Sequence, residues 1–595
     1  MNGSDSKTKY GSDLMADMLR QLDMKYAFML PGSTYRELHD SIVGHLGNTN
    51  PEIILCNHEG IAVDMAHGYA KVTGKPGLAL LHNVVGLLNG TNAIYNVLLD
   101  QAPVVIVGGF GPLDIKKRRM NKERDWDHAA MIQGNVVRDY VKWDVQPGGM
   151  AEVPDAFIKA YQIAATDPQG AVYVCLDAGL QKEVLTDDVP LPPMKRYPNP
   201  LPPQADAETI SRVAKLLVEA KHPIVIADFL GRNPKAVASL VEMADLLALP
   251  VIDAGRRFNF PSNHPLDLTG AENDLLKEAD VVLALDVQYL FPYLSTWETS
   301  YEAGDDATKR DTSIVPDECQ VIHINLQHLA VKSWSQFYGK LAPTDIAISA
   351  DTALALPMLT AACRELLTEN RRSELKQRFN NLKAKHEVLR KQWQTTAENT
   401  KGRSPISIPW LVKQTWEVIK NEDWALVGPN MSGWPRRLWD WDKPHQYVGY
   451  EGLGCGMGQA MGAALAHRPK GRLCINFQAD GDFLFAPSSL WTAAHHQIPM
   501  LVIMNNNRTY YNSERHEEMT AKGRERPVDN NGIGTRIDNP SVDYATLARS
   551  FGLHGVGPIE KPCDLLPALE EAIKVVKDKK QLALVDVVTE KSRER

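Results

Sequence analysis

The sequence lacks the signatures of several common protein classes. Its seven cysteines are dispersed over 595 residues without a CxxC pair, which is the spacing of many zinc sites. No stretch approaches about 18 uninterrupted apolar residues, so we expect no transmembrane helix. Lys and Arg number 65 against 73 Asp and Glu, and the net charge of −8 gives no bulk attraction to nucleic acid or to an anionic membrane. We therefore predict neither a nucleic-acid nor a membrane partner.

Composition also indicates a compartment and a size class. Hydrophobic residues make up 44% and charged residues 23%, ordinary globular values that exclude a disordered or fibrous chain. An odd, scattered set of cysteines indicates reduced thiols, and residues 1–13 contain no apolar core of a secretory signal. We therefore predict a cytoplasmic location. A chain of 595 residues is long enough for about two to four domains.

Two segments divide the chain into three parts. Residues 186–204 hold seven prolines in 19 residues, which disfavours a helix or a central strand and predicts an extended linker. Residues 365–398 are highly charged and carry no strand signal, so they predict a helical connector. The predicted organisation is a first domain over 1–185, the linker over 186–204, a middle domain over 205–366, the connector over 367–402 and a last domain over 403–595.

In all three parts, short apolar segments alternate with helical patterns. The predicted strands 26–30, 53–55 and 78–81 each precede a helical pattern in the first part. The alternation returns at 223–227 in the second part and at 472–477 in the third. Alternation of this kind predicts an α/β fold with a parallel, doubly wound sheet in each domain.

The strongest chemical signal lies at the ends of two strands in the last part. One buried strand pattern ends at Asp480-Gly481, a helix follows, and the next strand pattern ends at 505–507. Open α/β sheets bind ligands at the carboxyl ends of their strands. Asp480 would supply a carboxylate and Asn507 an amide oxygen, and Mg²⁺ prefers such oxygen ligands. Asp-Gly and Asn-rich segments also end strands as ordinary turns, so this pattern alone leaves both interpretations open.

The second signal lies at residues 56–70, where an apolar strand leads into a helix. Glu59 occupies the first turn, and small residues follow it at Ala62, Ala66 and Gly68. Taken by itself, Glu59 has a purely structural explanation, because an acidic side chain in the first turn is stabilised by the helix dipole.

Together, the two segments resemble the thiamine-diphosphate-dependent enzymes. Asp480-Gly481 followed by Asn507 after 27 residues is similar to the family's Gly-Asp-Gly and later Asn-Asn, with Ala479 in place of the first glycine. The run from His58 to Ala70 is similar to the family's pyrimidine-binding segment. Further stretches look nearest to benzoylformate decarboxylase and the acetolactate-synthase-like enzymes, and they are PGS at 31–33, residues 81–107, EGLG at 451–454 and residues 490–499.

This resemblance implies a fold, cofactors and a reaction. It implies pyrimidine-binding, middle and diphosphate-binding domains, with thiamine diphosphate and Mg²⁺ as cofactors. The implied activity is that of a lyase that decarboxylates a 2-oxo acid through ylide and enamine intermediates. Three alternatives stay open, namely a carboligase of acetolactate-synthase type, an aldehyde lyase, and a non-catalytic regulatory relative. A flavin would favour the synthase, and no feature of the sequence requires one.

The resemblance also assigns catalytic residues and an assembly. Glu59 would share a proton with the aminopyrimidine ring of the cofactor, which suits a buried carboxyl. Ser33 and His82 would serve in binding the substrate carboxylate and in proton transfer. The implied assembly is a homodimer or homotetramer with active sites at the subunit interface. Glu59 of one subunit would then serve a cofactor held by Asp480 and Asn507 of the other.

Metal and cofactor contacts follow in the same way. Asp480, Asn507 and the backbone carbonyl of Thr509 would bind Mg²⁺, with Asn506 as the alternative to Asn507. Leu453 would be the apolar residue that wedges the cofactor into its bent conformation. The other implied cofactor contacts are Asn430, Ser432, Gly454, Gly481, Asp482, Thr509 and Tyr510.

Two features depart from the family pattern. Asp482 stands where the family often has a phosphate-contacting serine, so its carboxylate must turn away or cap the following helix. The middle part lacks a clear match to the second catalytic histidine of benzoylformate decarboxylase. It has the aromatic-rich stretch 286–301 instead, which would line a roomy apolar pocket or form an aromatic core or interface.

Overall fold

A computed structural model describes residues 8–117, 128–186, 189–300, 308–329 and 341–591. The chain divides into two compact units, and each unit is assembled from three separate segments. Unit 1 comprises the described residues of Met1–Leu201, Glu451–Gly471 and Asp482–Met500. Unit 2 comprises those of Pro202–Tyr450, Arg472–Gly481 and Leu501–Arg595.

The strands form three parallel sheets and one hairpin. The strands of the first sheet are β1 (Tyr26–Met29), β2 (Glu52–Leu55), β3 (Gly77–Leu81), β4 (Val104–Phe110), β5 (Trp143–Val145) and β6 (Ala171–Asp177). The strands of the second sheet are β7 (Pro223–Ala227), β8 (Val251–Asp253), β9 (Val281–Leu285), β12 (Gln320–Asn325) and β13 (Ile346–Ser349). The antiparallel hairpin consists of β10 (Ser295–Ser300) and β11 (Thr308–Ser313). The third sheet contains β14 (Trp424–Leu426), β15 (Leu473–Ala479), β16 (Leu501–Asn506), β17 (His554–Ile559) and β18 (Ala583–Val588).

Helices connect these strands in all three sheets. Those from the first half of the chain are α1 (Gly11–Gln21), α2 (Arg36–Asp40), α3 (Glu59–Thr73), α4 (Val84–Asp100), α5 (Val153–Ala165), α6 (Ala178–Gln181), α7 (Ala207–Glu219), α8 (Pro234–Leu247) and α9 (Glu272–Leu276). The later ones are α10 (Thr352–Leu366), α11 (Glu369–Asn399), α12 (Ile408–Ile419), α13 (Trp434–Leu438), α14 (Gly456–His467), α15 (Asp480–Phe483), α16 (Ser489–His495), α17 (Tyr511–Gly523), α18 (Tyr544–Ser550) and α19 (Pro562–Lys579).

The first sheet belongs to unit 1 and has the strand order β2-β1-β3-β4-β6-β5. Its strands are parallel, and β1, β3, β4 and β6 are buried along their whole length. Because β2 lies on one side of β1 and β3 on the other, the order reverses at this point. The carboxyl ends of β1 and β3 therefore flank the crevice where such sheets bind ligands.

Unit 2 contains the other two parallel sheets, in the orders β13-β12-β9-β7-β8 and β14-β15-β16-β18-β17. The prediction of three parallel α/β sheets is confirmed. Strands β14, β15 and β16 are direct neighbours in register, so their carboxyl ends lie together at one edge. The residues that follow these three strands are the predicted metal and cofactor ligands.

Helices α3 and α14 of unit 1 pack against each other with close backbone contact. Helix α3 begins after His58, whose Nδ1 accepts the Gly60 N–H at 2.9 Å, and it ends at Gly74, whose φ of +67° suits glycine. A Cβ on Gly68 would lie 1.9 Å from the carbonyl oxygen of Gln459 in α14. The glycine therefore allows the two backbones to touch.

The two connecting segments have different structures. In the described part of 186–204, the only helical turn is a 3₁₀ turn at Met194–Arg196. The charged segment forms α11, a single helix of 31 residues capped by Thr368, whose side chain accepts the Arg371 N–H. The domain boundaries inferred from these segments remain a prediction. In the described part of the chain, no helix is long and apolar enough to cross a membrane.

Candidate functional site

The predicted catalytic residues of unit 1 gather at the crevice between β1 and β3. Ser33 and Thr34 follow β1, and His82 follows β3 directly. Thr34 Oγ1 and His82 Nδ1 are 3.0 Å apart and form a hydrogen bond across the crevice. A Cβ on Gly32 would lie 2.7 Å from the His82 ring, so the glycine before Ser33 admits the imidazole. The chain thus brings Ser33 and His82 to one strand edge.

Glu59 lies at the same edge, in the first turn of α3. Its side chain is 4% exposed, and Oε2 accepts a hydrogen bond from Asn89 Nδ2 at 3.2 Å. A Cβ on Gly86 would stand 3.0 Å from Glu59 Oε1 and 2.8 Å from His82 Cβ. Gly86, in the first turn of α4, therefore makes room for both Glu59 and His82. We call Ser33, Thr34, Glu59, His82 and Asn89 the first cluster.

The buried side chain of Asn83 adjoins this cluster in sequence. Asn83 is 0% exposed, and neither its Oδ1 nor its Nδ2 has a hydrogen-bond partner in the described part of the chain. Burying an amide without partners costs free energy, so such a group is a natural contact for water or a ligand.

The loop around Leu453 also belongs to unit 1. Leu453 is 77% exposed, although its backbone is bound on both sides. Its carbonyl oxygen accepts from Asn92 Nδ2 at 3.0 Å and from Asn96 Nδ2 at 3.2 Å. Asp482 accepts the Gly454 N–H at 2.5 Å through Oδ1 and the Gly456 N–H at 3.2 Å through Oδ2. Asp482 therefore caps α14, which precedes it in the chain, and the prediction that it would cap the following helix is wrong.

A second buried acid, Asp64, lies beside this cap. Asp64 is 4% exposed. A Cβ on Gly458 would lie 2.4 Å from Asp64 Cβ, so the glycine makes room for the acid. Burial raises the pKa of Asp64 well above its usual value, and the Asp482 carboxylate raises it further.

In unit 2, Asp480 occupies the end of β15 as predicted. It is 1% exposed, and its two oxygens accept the backbone N–H groups of Gly481 at 2.8 Å and Arg508 at 2.7 Å. Burial raises the pKa of Asp480 to about 6, and these backbone hydrogen bonds oppose that shift. No lysine or arginine among the described residues forms an ion pair with it. A buried carboxylate with no cationic side chain beside it fits a bound cation.

The three consecutive asparagines at the end of β16 have different partners. Asn505 Oδ1 accepts from Thr589 Oγ1 at 2.5 Å, and Asn506 Nδ2 donates to Asp586 Oδ1 at 2.9 Å. Asn507 lies just beyond the strand, and its Oδ1 accepts the Thr509 N–H at 3.1 Å. Asn507 also precedes Arg508, whose N–H binds Asp480. Asn507 therefore adjoins the residue that binds Asp480, whereas Asn506 is tied to Asp586, and the choice of Asn507 over Asn506 as a metal ligand remains a prediction.

Thr509 and Tyr510 complete this edge of unit 2. The Thr509 hydroxyl donates to Glu514 Oε2 at 2.7 Å, and the predicted metal contact of Thr509 is its backbone carbonyl. A Cβ on Gly481 would lie 2.5 Å from Tyr510 Cε1, so glycine admits the tyrosine ring. We call Asp480, Gly481, Asn507, Thr509 and Tyr510 the second cluster. The buried carboxylate of Asp480 and the half-buried amide oxygen of Asn507 fit the ligand preferences of Mg²⁺.

The predicted diphosphate contacts Asn430 and Ser432 follow β14, the neighbouring strand. Asn430 Oδ1 accepts the Gly433 N–H at 3.3 Å and caps a short 3₁₀ turn. Ser432 adopts φ +57°, a left-handed conformation that costs a non-glycine residue about 1–2 kcal/mol. Strained backbone of this kind recurs at ligand-binding turns.

The aromatic stretch 286–301 is described only in part. Asp286 is bound within unit 2, because it accepts from Arg232 Nη1, in the turn after β7, at 2.5 Å and from Thr352 Oγ1, at the start of α10, at 2.5 Å. The side chains of 296–300, and residue 301 altogether, lie outside the described residues, so the prediction of a pocket or aromatic core stays open.

Sequence reasoning missed four asparagines. Asn83, Asn89, Asn92 and Asn96 lie within or directly before α4, in the segment 81–107, where the resemblance assigns a role only to His82. The spacing of Asn89, Asn92 and Asn96 by three and four residues places them on one helix face, and this signal could have identified them.

The chain matches three family descriptions along its length. Residues 9–131 match "Thiamine pyrophosphate enzyme, N-terminal TPP binding domain". Residues 210–359 match the central domain of the same family, and residues 429–587 match its C-terminal TPP binding domain.

Individual relatives agree with these matches. The catalytic subunit of mitochondrial acetolactate synthase from Aspergillus candidus is 25% identical, over 98% of this chain and 81% of its own. The acetolactate synthase large subunit of Haemophilus influenzae is 24% identical, over 98% and 95%. Among solved structures, benzoylformate decarboxylase from Polynucleobacter necessarius has a TM-score of 0.75 at 18% identity, over 99% of this chain and 100% of its own. The Rhodococcus jostii 4-hydroxybenzoylformate decarboxylase has 0.72 at 20%, over 98% and 99%.

Proposed function

The chain belongs to the thiamine pyrophosphate enzyme family, and from this premise we propose that it is a thiamine-diphosphate- and Mg²⁺-dependent lyase that decarboxylates a 2-oxo acid. The observation that supports this activity is the first cluster. It places a buried carboxyl, Glu59, and the histidine His82 beside the same glycine, Gly86, at the crevice of a doubly wound sheet. These are groups that can hold and move protons during carbon–carbon cleavage.

The second cluster supports the cofactor assignment. Thiamine diphosphate, when bound, supplies the electron sink for cleaving the bond between a carbonyl carbon and a carboxylate. Asp480, Asn507 and the Thr509 carbonyl would hold Mg²⁺, and the cation would in turn bind the diphosphate. The turn at Asn430 and Ser432 would add diphosphate contacts from the neighbouring strand.

The first cluster would supply the proton transfers. Glu59 would share a proton with the aminopyrimidine ring, and Asn89 orients its carboxyl through the hydrogen bond to Oε2. His82 would deliver a proton to the product, and Thr34 fixes the imidazole through Nδ1. Ser33 would bind the substrate carboxylate at the end of β1.

A substrate panel with two variants tests this proposal. Purified protein with thiamine diphosphate and Mg²⁺ is given aliphatic and aromatic 2-oxo acids, and carbon dioxide and aldehyde are measured. We expect release of both, loss of turnover with retained cofactor binding in Glu59→Gln, and loss of Mg²⁺-dependent cofactor binding in Asp480→Ala. The exposed Glu208→Gln is the matched control. Full activity in Glu59→Gln, or unchanged calorimetric affinity in Asp480→Ala, would contradict the assigned roles.

Carboligation is the second candidate, because the curated relatives named above are acetolactate synthases. A carboligase would use the same clusters up to the loss of carbon dioxide and then join the remaining fragment to a second carbonyl compound. The two activities differ in product. With a 2-oxo acid plus excess aldehyde, a carboligase gives mainly a hydroxyketone, whereas a decarboxylase gives mainly free aldehyde.

We further propose that a complete site forms between two copies of the chain, with Glu59 from one copy and Asp480 from the other. Mixing of inactive variants tests this assembly. If Glu59→Gln and Asp480→Ala protomers exchange at random, half of the dimers are mixed and each contains one intact site, so about a quarter of wild-type activity returns. No recovery after demonstrated exchange would place both residues of a site in the same chain.

A cytoplasmic location is also proposed. All seven cysteines lie among the described residues, and none forms a disulfide. Six of them are buried, which suits a compartment that keeps thiols reduced.

A further inference from the structure

The loop 451–455 holds an apolar side chain in the open while its backbone is fixed. Leu453 is 77% exposed, whereas Gly452 and Gly454 on either side of it are partly buried. A single exposed leucine is ordinary on a protein surface, but a side chain whose own backbone is fixed on both sides is preorganised for a binding contact.

Helix α4 binds one side of this loop. Asn96 makes two hydrogen bonds with one residue, because its Nδ2 donates to the Leu453 carbonyl at 3.2 Å and its Oδ1 accepts the Leu453 N–H at 3.4 Å. Asn92 donates to the same carbonyl at 3.0 Å. The contact requires Gly452, which has φ +117° and whose Cβ would lie 2.4 Å from Asn96 Cγ.

Asp482 binds the other side. Its two carboxylate oxygens accept the N–H groups of Gly454 and Gly456, which flank the start of α14. Gly454 is required here as well, because a Cβ on it would lie 2.7 Å from Phe485 Cδ1. Asn96 thus binds the backbone of Leu453, and Asp482 binds the backbone of Gly454 and Gly456. The side chain of Leu453 itself remains exposed to solvent.

We propose that Asn96 and Asp482 are positioning residues that clamp the loop 451–455, so that Leu453 presents its side chain to the thiazolium and pyrimidine rings of thiamine diphosphate. This inference rests on the proposed function. It also assigns Asp482 a role different from the phosphate contact that the resemblance implied. Both oxygens of its carboxylate already accept backbone N–H groups, and a carboxylate repels a diphosphate.

Amide hydrogen exchange of the protein without cofactor tests the clamp directly. In Asn96→Ala, we expect exchange in the peptide containing 452–456 to accelerate by at least about tenfold, because two hydrogen bonds are lost. Thr91→Val is the matched control on the same helix, since among the described residues the Thr91 hydroxyl bonds only to the Leu87 carbonyl of its own helix. Equal exchange in Asn96→Ala and Thr91→Val would overturn the clamp, whatever the protein catalyses.

A double-mutant cycle tests whether the clamp acts through Leu453. We expect Asn96→Ala to lower kcat by about tenfold while the calorimetric affinity for thiamine diphosphate with Mg²⁺ changes less than about threefold. If Asn96 acts only by positioning Leu453, Leu453→Ala and the double variant Leu453→Ala, Asn96→Ala should have the same kcat. Multiplication of the two single effects would refute the positioning role.

Asp482 is tested by a pair of substitutions. Asp482→Asn keeps the shape and one acceptor oxygen, so we expect intermediate exchange at Gly454 and Gly456, whereas Asp482→Ala should accelerate it fully. If Asp482 contacted the diphosphate instead, Asp482→Ala would change cofactor affinity and leave this exchange unaltered. Wild-type protein that fails to bind thiamine diphosphate would contradict the proposed function, while the exchange measurements would still decide the clamp.

Discussion

Replacement of Gly68 by alanine tests the packing that holds α3 against α14. A Cβ on Gly68 would lie 1.9 Å from the carbonyl oxygen of Gln459. The next nearest atoms, at 2.7 and 2.9 Å, also belong to the Gln459 backbone, so no side chain can rotate out of the way. Relief of the clash therefore requires the two helices to separate.

The magnitude follows from the distances. Ordinary van der Waals contact begins at 3.4 Å, so the backbones must move apart by about 1.5 Å. Overpacking a close interface costs about 1–3 kcal/mol, and we expect about 3 kcal/mol because the opposing atoms are main-chain atoms. Gly462 makes the same kind of approach in return, since its Cβ would lie 2.0 Å from the Met65 carbonyl oxygen.

Thermal unfolding followed by circular dichroism measures this effect. A loss of about 3 kcal/mol lowers Tm by about 6–12 °C for a unit of this size. Gly149→Ala is the matched control in the same unit, because nothing lies within 4 Å of its Cβ position and its φ of −159° suits any residue. If Gly68→Ala melts within about 2 °C of Gly149→Ala, the close approach of α3 and α14 is refuted.

Two further predictions concern stability. Arg436→Met removes a buried guanidinium that is bonded to Asp253 at 2.9 Å and to Asp267 at 3.0 Å, so we expect denaturant unfolding to show a free energy of unfolding lower by about 3–5 kcal/mol. The control is Arg364→Met, which removes an exposed ion pair and should cost about 0–1 kcal/mol. Equal losses in the two variants would contradict the role of burial. Burial lowers the pKa of His496 to about 4, and the neutral ring accepts the Leu55 N–H through Nε2 at 2.8 Å. The folded state therefore favours the neutral imidazole. This contribution to stability is complete above pH 6.5 and is lost as the pH falls through about 4. His496→Gln should flatten the pH dependence of Tm over that interval, and an unchanged slope would exclude His496 as its source.

Much of the fold could be predicted because strand periodicity is local. Buried parallel strands appear as short apolar runs, and the helices between them carry their own capping signals, so three α/β sheets followed from the sequence. The residues at the strand ends followed for the same reason. Asp480 and Asn507 end neighbouring strands, and that adjacency is a property of one βαβ unit.

The contacts that could not be predicted join distant parts of the chain. The carboxylate of Asp482 could be expected to cap a helix, but its selection of α14 depends on tertiary packing. The bonds from Asn96 to Leu453 span 357 positions, and no local pattern reports them. The resemblance supplied the candidate role of Glu59, whereas the hydrogen bond from Asn89 became visible only in three dimensions.

The division into interleaved segments has a consequence for gene truncation. A fragment that stops in the proline-rich stretch contains the first sheet and α3 but lacks 451–471 and 482–500, which belong to the same unit. In that fragment, Gly68 and Met65 lose their partners Gln459 and Gly462, and a groove lined by main chain is opened to water. Expression of residues 1–201 alone would therefore yield an aggregation-prone product. A circular permutation or a linked insertion of α14 is the better route to an isolated unit.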